Sequence, residues 1–309
     1  MNRHCCGIEI GGTKLQIVLG DNAGKIAQRH RFTVNPIQGS AGIRRHIEST
    51  LSELGRTAQI EAVGVGFGGP VDWKTGKVCC SHQIEGWFGF DLGEWLHSLT
   101  NQPVVVDNDA NVAALGEALR GAGAGFDPVF YITLGSGVGG GLVAQGKIYH
   151  GAKPGESEIG HVRLDREGTI LESRCSGWAV DSKIRQLKSI APESLLSRRI
   201  GNSIGEEAKH LNSALSEGDP VARVVIEETA EDLAFGLSHV VHLFHPELIV
   251  LGGGLSLVGE PLRSAVDKAL RKHVMEAFAP GPSIRLTALG EDAVPVGTLL
   301  LAKCTEQSK

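Results

Sequence analysis

An apolar run, a cluster of glycines with a hydroxyl residue, and a second apolar run occur twice in this chain. That repetition limits what it can fold into more than any other feature. The first copy is Ile8-Glu9-Ile10-Gly11-Gly12-Thr13-Lys14, running into the apolar stretch 15–19. The second is Tyr131-Ile132-Thr133-Leu134-Gly135-Ser136-Gly137-Val138-Gly139-Gly140-Gly141, running into Leu142-Val143-Ala144. Glycine at a strand-to-strand turn lets bare backbone N–H groups converge, and such a nest attracts anions. One glycine hairpin is an ordinary turn. Two of them, about 120 residues apart at the head of each half, predict a duplicated fold that grips a polyphosphate from both sides. Other phosphate motifs are excluded. The P-loop pattern GxxxxGK[ST] is absent, and Gly135-x-Gly137-x-x-Gly140 satisfies GxGxxG without the helix that dinucleotide binding needs after it. Residues 142–148 have instead the pattern of a strand and a turn.

At 309 residues, 41% of them hydrophobic, the chain is long enough for two lobes and a substantial core. Its 42 glycines are nearly double the usual frequency of about 7%, matching the many tight turns. No apolar stretch approaches the roughly 20 residues of a membrane span, and no signal-like segment precedes the first strand. With a net charge of −5 and no basic block, nucleic acid and membrane are not expected partners. The six cysteines include the adjacent pairs Cys5-Cys6 and Cys79-Cys80, with Cys175 and Cys304 apart and no CxxC. Neighbouring cysteines do not form ordinary structural disulfides, so a reduced, cytoplasmic setting is expected.

Strands are predicted near 6–10, 15–20, 26–33, 62–67 and 103–106, with a helix near 41–54 and a loop at 68–72. Asn108-Asp109-Ala110-Asn111 opens a helix through about Arg120. The second half begins with a strand at 129–134 and its glycine hairpin. Its clearest helix is 221–244, with Val221, Val224, Val225, Leu233, Leu237, Val240, Val241 and Phe244 at three-and-four spacing. A short strand at 248–251 then turns at Gly252-Gly253-Gly254 into a new helix, and a final helix at 296–302 is placed to pack back on the first lobe. Alternating strands and helices with two similar openings predict an α/β protein of two lobes with a central cleft.

Several residues carry candidate chemistry. Asn108 and Asp109 stand where a buried strand ends and a helix begins. Either is a good N-cap, and either can point a polar group at substrate, where a carboxylate accepts the proton of a hydroxyl attacking a phosphoryl group. The segment Gly155-Glu156-Ser157-Glu158-Ile159-Gly160-His161, followed by Glu172, is dense in groups suited to sugar hydroxyls. The plainer alternatives are a solvated loop for Glu156 and a structural histidine for His161. His239, His242 and His245 are spaced by three, and on a helix the third rotates away from the first, which argues against a shared metal.

Taken together, IEIGGTK at 8–14, GFGGPVD at 66–72, GW at 86–87, VDNDANVAALGE at 106–117, YITLGSGVGGGLVAQGKIYHG at 131–151, EIGH at 158–161, LES at 171–173, SG at 176–177 and HPELIVLGGGLS at 245–256 resemble the ROK family of bacterial sugar kinases and sugar-responsive repressors. The resemblance spans nearly the whole chain in order. It implies the actin-like ATPase (ribonuclease H-like) fold, with residues 1–120 and a C-terminal helix at about 295–309 as one lobe and 121–294 as the other. It further implies ATP- and Mg²⁺-dependent phosphorylation of a hexose hydroxyl, in the manner of a glucokinase, by a cytoplasmic homodimer.

By position, the resemblance makes Asp109 the general base and Gly68, Gly69, Asn108, Glu158, His161 and Glu172 its companions at the sugar. Gly11, Gly12, Thr13 and Lys14, with Ser136 and Gly137, become the phosphate loops, and Gly253 and Gly254 the nucleotide-side turn. Two departures stand out. The family commonly carries CxCGxxGC after its EIGH histidine and binds zinc there. Residues 162–170 are short and hold no cysteine, and Cys175 alone cannot complete a tetrahedral site, so no zinc is expected. Glu9 stands where the family usually has Asp, so a Mg²⁺ ion held there meets a carboxylate displaced by one methylene. A sugar-sensing regulator of the same fold, a kinase for an N-acylhexosamine or fructose, and a bare ATPase are the alternatives. The repressors carry an N-terminal DNA-binding module, for which a first strand at about residue 6 leaves no room.

Overall fold

The opening apolar run forms a strand, β1 (His4–Ile10), and the glycine turn returns it antiparallel as β2 (Lys14–Gly20), pairing Ile10 with Leu15. In this computed structural model, which describes residues 4–81, 84–153, 155, 157–202 and 204–303, β3 (Ile26–Thr33) pairs antiparallel with β2 and forms the sheet edge, its side chains largely exposed. Helix α1 (Gly39–Thr57) buries Ile43, Ile47, Leu51 and Leu54, a stripe at helical spacing. The nearly all-buried β4 (Ile60–Phe67) lies parallel to β1, its near-continuous apolar run that of a strand covered on both faces. A small ribbon of β5 (Val71–Asp72) and β6 (Lys77–Val78), then α2 (Leu92–Thr100), lead to β7 (Val104–Asn108), which is parallel to β4, and to α3 (Asp109–Arg120). The sheet order is β3-β2-β1-β4-β7.

The second half repeats this plan. After β8 (Val129–Leu134) the glycine loop returns the chain as β9 (Val138–Ala144) and β10 (Lys147–Ile148). Helices α4 (Glu172–Cys175), α5 (Gly177–Ile190), α6 (Leu195–Ile200), α7 (Leu211–Ser216) and α8 (Pro220–Phe244) come next. They lead to β11 (Leu248–Gly252), α9 (Glu260–His273), β12 (Ser283–Leu286) and α10 (Ala293–Lys303). The sheet order is β10-β9-β8-β11-β12, with β11 parallel to β8 and β12. In each half a glycine hairpin starts the sheet and two later strands extend it. The glycine loop at 135–141 runs into a strand rather than a helix, which removes the dinucleotide alternative.

Three local expectations are corrected. Residues 68–72 are not all loop, because Val71 and Asp72 pair with Val78 and Lys77. The glycines at 252–254 lead first into a 3-10 turn (Gly254–Val258), and α9 starts only at Glu260. On α8 the buried stripe runs through Ala222, Val225, Ile226, Leu233, Leu237, Val240 and Val241, whereas Val224 and Phe244 are exposed.

The chain divides into two units, one of Met1–Gly125, Gly141–Ser157 and Glu291–Lys309, the other of Phe126–Gly140 and Glu158–Gly290. Chain order alone leaves 141–157 with the second half. Close packing and polar bonds return it to the first. A Cβ on Gly141 would stand 2.8 Å from the Cβ of Ala114, and His150 and Lys153 bond to Asp107 and Asp72. Residues 304–309, expected to extend the last helix, lie outside the described residues.

Helix α10 packs on α3, β4 and β1 within the first unit, and glycine permits its approach. A Cβ on Gly64 would overlap the Thr298 carbonyl, and one on Gly297 the Val112 carbonyl. No helix among the described residues is long and apolar enough to cross a membrane. Gly64→Ala should lower the unfolding free energy by roughly 1–3 kcal/mol, the cost of overpacking, read from the urea midpoint. Gly55→Ala, in open space on α1, should leave stability unchanged or raise it by about 0.5–1 kcal/mol. Equal effects would show that the close approach does not limit stability.

Candidate functional site

In the first unit the candidate residues gather at the carboxyl ends of β1, β4 and β7. The parallel register puts Glu9, Gly66 and Asp107 in one row and Ile10, Phe67 and Asn108 in the next. The turn at 11–14 is closed by Gly11 N–H donating to the Lys14 carbonyl (3.0 Å). Gly68 N–H donates to the Ile10 carbonyl (2.8 Å), drawing the turn after β4 against that after β1. A Cβ on Gly68 would lie 3.3 Å from Asp109 Oδ2, so this glycine leaves the carboxylate open. Asn108 caps α3, its Oδ1 accepting from Ala110 N (2.9 Å) and Asn111 N (3.3 Å), while its Nδ2 donates to the Gly69 carbonyl (3.3 Å). Both sequence readings of Asn108 therefore meet in one side chain: it caps the helix and pins the glycine loop.

Asp109, at the first position of α3, has its carboxyl pushed up to about 7, first by burial and then by the nearby negative charge of Glu9. The amides of the helix start and Lys14 act in the opposite direction and are outweighed. Glu9 is itself buried, at 5% exposure. Its Oε1 meets Lys14 Nζ at 3.0 Å and its Oε2 accepts from Gln16 Nε2 at 2.7 Å. Burial is the largest influence and holds the Glu9 carboxyl above its ordinary range despite Lys14 and Gln16. Gln16 is a site residue that sequence reasoning misses. It lies two residues after Lys14 on β2, where strand alternation puts it on the same side of the sheet.

The second unit carries the other candidates. Its loop is closed by Gly135 N–H donating to the Gly137 carbonyl (3.0 Å) and tied to α5 by Gly177 N–H donating to the Gly135 carbonyl (2.7 Å). Ser136 is exposed at its tip. Glu172 Oε2 accepts from Val138 N–H (2.8 Å), so this carboxylate braces the glycine loop. A Cβ on Gly137 would stand 2.5 Å from the same oxygen. Gly253, at φ +78°, leaves the Leu134 backbone no room for a Cβ, whereas Gly254 meets nothing within 4 Å. Glu158 and His161 are exposed at the two ends of a 3-10 turn (Ile159–His161), and Gly160 lies against the Val138 carbonyl. The His161 ring makes no hydrogen bond to the other described residues. Glu156 lies outside the described residues.

The three histidines of the α8 end go separate ways. His239 Nδ1 faces the Phe235 carbonyl, His242 Nε2 accepts from Met275 N–H, and His245 stacks on Phe278. The stretch 162–170 folds as a tight turn in which Arg163 bridges Ile170 and Asp165 Oδ1 accepts from Gly168 N and Thr169 N, each 2.9 Å. Cys175 is buried against the Thr229 carbonyl, and burial raises its thiol well above the ordinary range. These donors do not fit a structural zinc. Among the described residues no three His, Cys, Asp or Glu side chains cluster as metal ligands.

Two matched sheets, each opened by a glycine hairpin, place the chain among proteins of the actin-like ATPase fold. The ROK family model matches residues 5–305, and the chain belongs to the ROK family. It is 32% identical to a glucokinase of Halalkalibacterium halodurans over 99% of this chain and 97% of that one. It is 30% identical to a glucokinase of Thermotoga maritima, over 96% of each. A solved ROK glucokinase from Streptomyces griseus in complex with glucose and AMPPNP superposes with a TM-score of 0.84 at 32% identity, covering 97% of this chain and 99% of that one.

Because the Asp109 carboxyl titrates near 7 in the folded chain and near 3.8 when unperturbed, the folded state binds the extra proton between those values. The resulting stability is present at low pH and lost as pH rises through about 7. Asp109→Asn should therefore melt close to the unsubstituted protein at pH 4, increasingly above it as the pH rises towards 7, and by a constant margin beyond that. A melting difference independent of pH would contradict this burial of charge.

Proposed function

We propose that this chain is an ATP-dependent hexose kinase in which Asp109 is the general base. The observation that carries the reading is the Asp109 carboxyl itself. It stands at the start of α3 beside the open backbone of Gly68, with its acidity moved to about 7, near the working pH where proton transfer is most effective. The hexose hydroxyl oxygen bonds to the γ-phosphorus of ATP, the bond from that phosphorus to the ADP oxygen breaks, and the hydroxyl proton passes to Asp109. Asn108, Gly69 and Gly68 offer the groups that orient the sugar, with Glu158, His161 and Glu172 as further sugar ligands. Gly11, Gly12, Thr13, Lys14, Ser136, Gly137, Gly253 and Gly254 offer backbone and cationic contacts to the nucleotide. Glucose is the preferred sugar, supported by the relatives named glucokinase, with N-acetylmannosamine and fructose next.

Mg²⁺ supplies charge neutralisation of the phosphates when bound. Glu9 would hold it: a buried carboxylate beside a second, Asp109, is the hard oxygen set this ion prefers. Lys14 and Gln16 each engage one Glu9 oxygen, so they fix where that carboxylate points. Zinc has no part in the proposal. The turn at 162–170 is held by Asp165 and backbone bonds instead.

ADP release with ATP and Mg²⁺ over a panel of hexoses and N-acetylhexosamines tests the reading, with glucose expected to lead. Asp109→Asn should reduce turnover by about 10²–10⁴-fold while retaining sugar binding. Near-normal ADP release by that variant would remove Asp109 as the base. Silence of the unsubstituted protein across the panel would favour the sugar-sensing regulator. Treatment with a zinc chelator should leave the melting temperature unchanged, and a fall would show a structural metal.

A further inference from the structure

Asp107 has no part in the chemistry above, yet it is 2% exposed and both its oxygens are engaged. Its Oδ1 accepts from Asn108 N–H (2.8 Å) and Asn111 Nδ2 (3.0 Å). Its Oδ2 accepts from His150 Nε2 at 2.6 Å. The other side of that contact is equally confined: the His150 ring lies flat on Trp73, with centroids 4.0 Å apart and 11° between planes. Asn111, wholly buried, donates with the same Nδ2 to the Gly155 carbonyl (3.2 Å). Gly155 has φ +85°, and a Cβ there would stand 2.9 Å from Trp73 Cδ1. Lys153 reaches Asp72 at 2.5 Å. The segment from His150 to Gly155 is thus anchored on residues immediately beside the Asn108–Asp109 turn. All of these groups belong to the first unit.

A surface histidine needs neither a stacking partner nor a buried carboxylate. His150 has both, and its side chain is 17% exposed. The carboxylate it grips is the one whose other oxygen holds the Asn108 amide. A shift of His150 is therefore passed to the backbone from which Asn108 and Asp109 project.

We propose that His150, clamped between Trp73 and Asp107, is a positioning residue that sets the Asn108–Asp109 turn against the segment 150–155, and so governs how the sugar hydroxyl is presented. This rests on the sugar-kinase reading of Asn108 and Asp109. The imidazole does what neither half can do alone. Its face excludes water by stacking on the indole, and its edge donates to a buried acceptor that would otherwise lack a partner on that side. A misplacement of about 1 Å at a reacting group can cost on the order of 100-fold in rate, so a contact that touches no substrate still controls turnover.

The test compares His150→Phe, which keeps the ring stack and loses the donor, with His150→Gln, whose side-chain amide can still donate to Asp107. Glucose and ATP affinities are measured by calorimetry alongside KM and kcat. The Phe variant is expected to weaken glucose binding and raise its KM about tenfold, with ATP affinity within twofold and a lowered thermal midpoint, since Asp107 loses a donor. The Gln variant should recover most of the loss. If the Phe variant does not fold, His150→Asn, polar but too short to reach Asp107, takes its place. The proposal is overturned by glucose affinity within twofold in the Phe or Asn variant, by equal losses for glucose and ATP, or by a Gln variant no better than the Phe variant. Asp109→Asn is assayed in parallel. Its loss of turnover upholds the general-base reading whatever the His150 variants do, and the binding data judge His150 even if turnover is absent.

Discussion

Three acidic side chains lie at the carboxyl ends of β1 and β7 and at the start of α3, and a buried carboxylate must find donors or give up its charge. Each of the three is answered differently. Glu9 is met by Lys14 and Gln16. Asp107 is met by His150, Asn111 and a backbone N–H. Asp109 finds mainly the amides at the start of α3, which do not outweigh its burial, and its carboxyl titrates near 7. Asp109, with only backbone amides at hand, is the carboxyl left to accept a proton. The poise of Asp109 also depends on Glu9, whose negative charge helps raise it.

Glycine serves this arrangement twice over. Gly68, on the site side, keeps side-chain atoms away from Asp109 Oδ2, and Gly66 separates Glu9 from Asp107 in their shared register row. On the same face of β4 as Gly66, Gly64 together with Gly297 lets α10 lie directly on β4 and α3, so the strands that carry the acids are backed by helix rather than by solvent. The burial that shifts Asp109 is thus built from backbone contact as well as from apolar side chains. In the second unit Gly137 and Gly253 do the same for the loop braced by Glu172 and Leu134.

The hairpins were legible because their signal is local: apolar run, glycine turn, apolar run. Asn108 as a cap was legible for the same reason, since a cap contacts amides two and three residues ahead. Gln16 and His150 were not. Gln16 sits in an apolar strand and matters only because β1 and β2 pair in a register that puts it opposite Glu9. His150 lies 43 residues from Asp107, and no periodicity links them. On α8, spacing marks which residues share a face but not how much of that face a neighbour covers, so Val224 and Phe244 lie on the stripe yet stay exposed. The return of 141–157 to the first unit was likewise invisible, because chain order says nothing of which helix a strand end will touch.

The strands along the chain, the two glycine loops and the capped start of α3 came from the amino-acid order, because each rests on interactions spanning a few residues. The charge state of Asp109, the pairing of Glu9 with Lys14 and Gln16, and the clamp on His150 came from packing. Acidity depends on how much water is excluded and on which charges approach from distant parts of the chain, and those quantities exist only once the strands have been brought side by side.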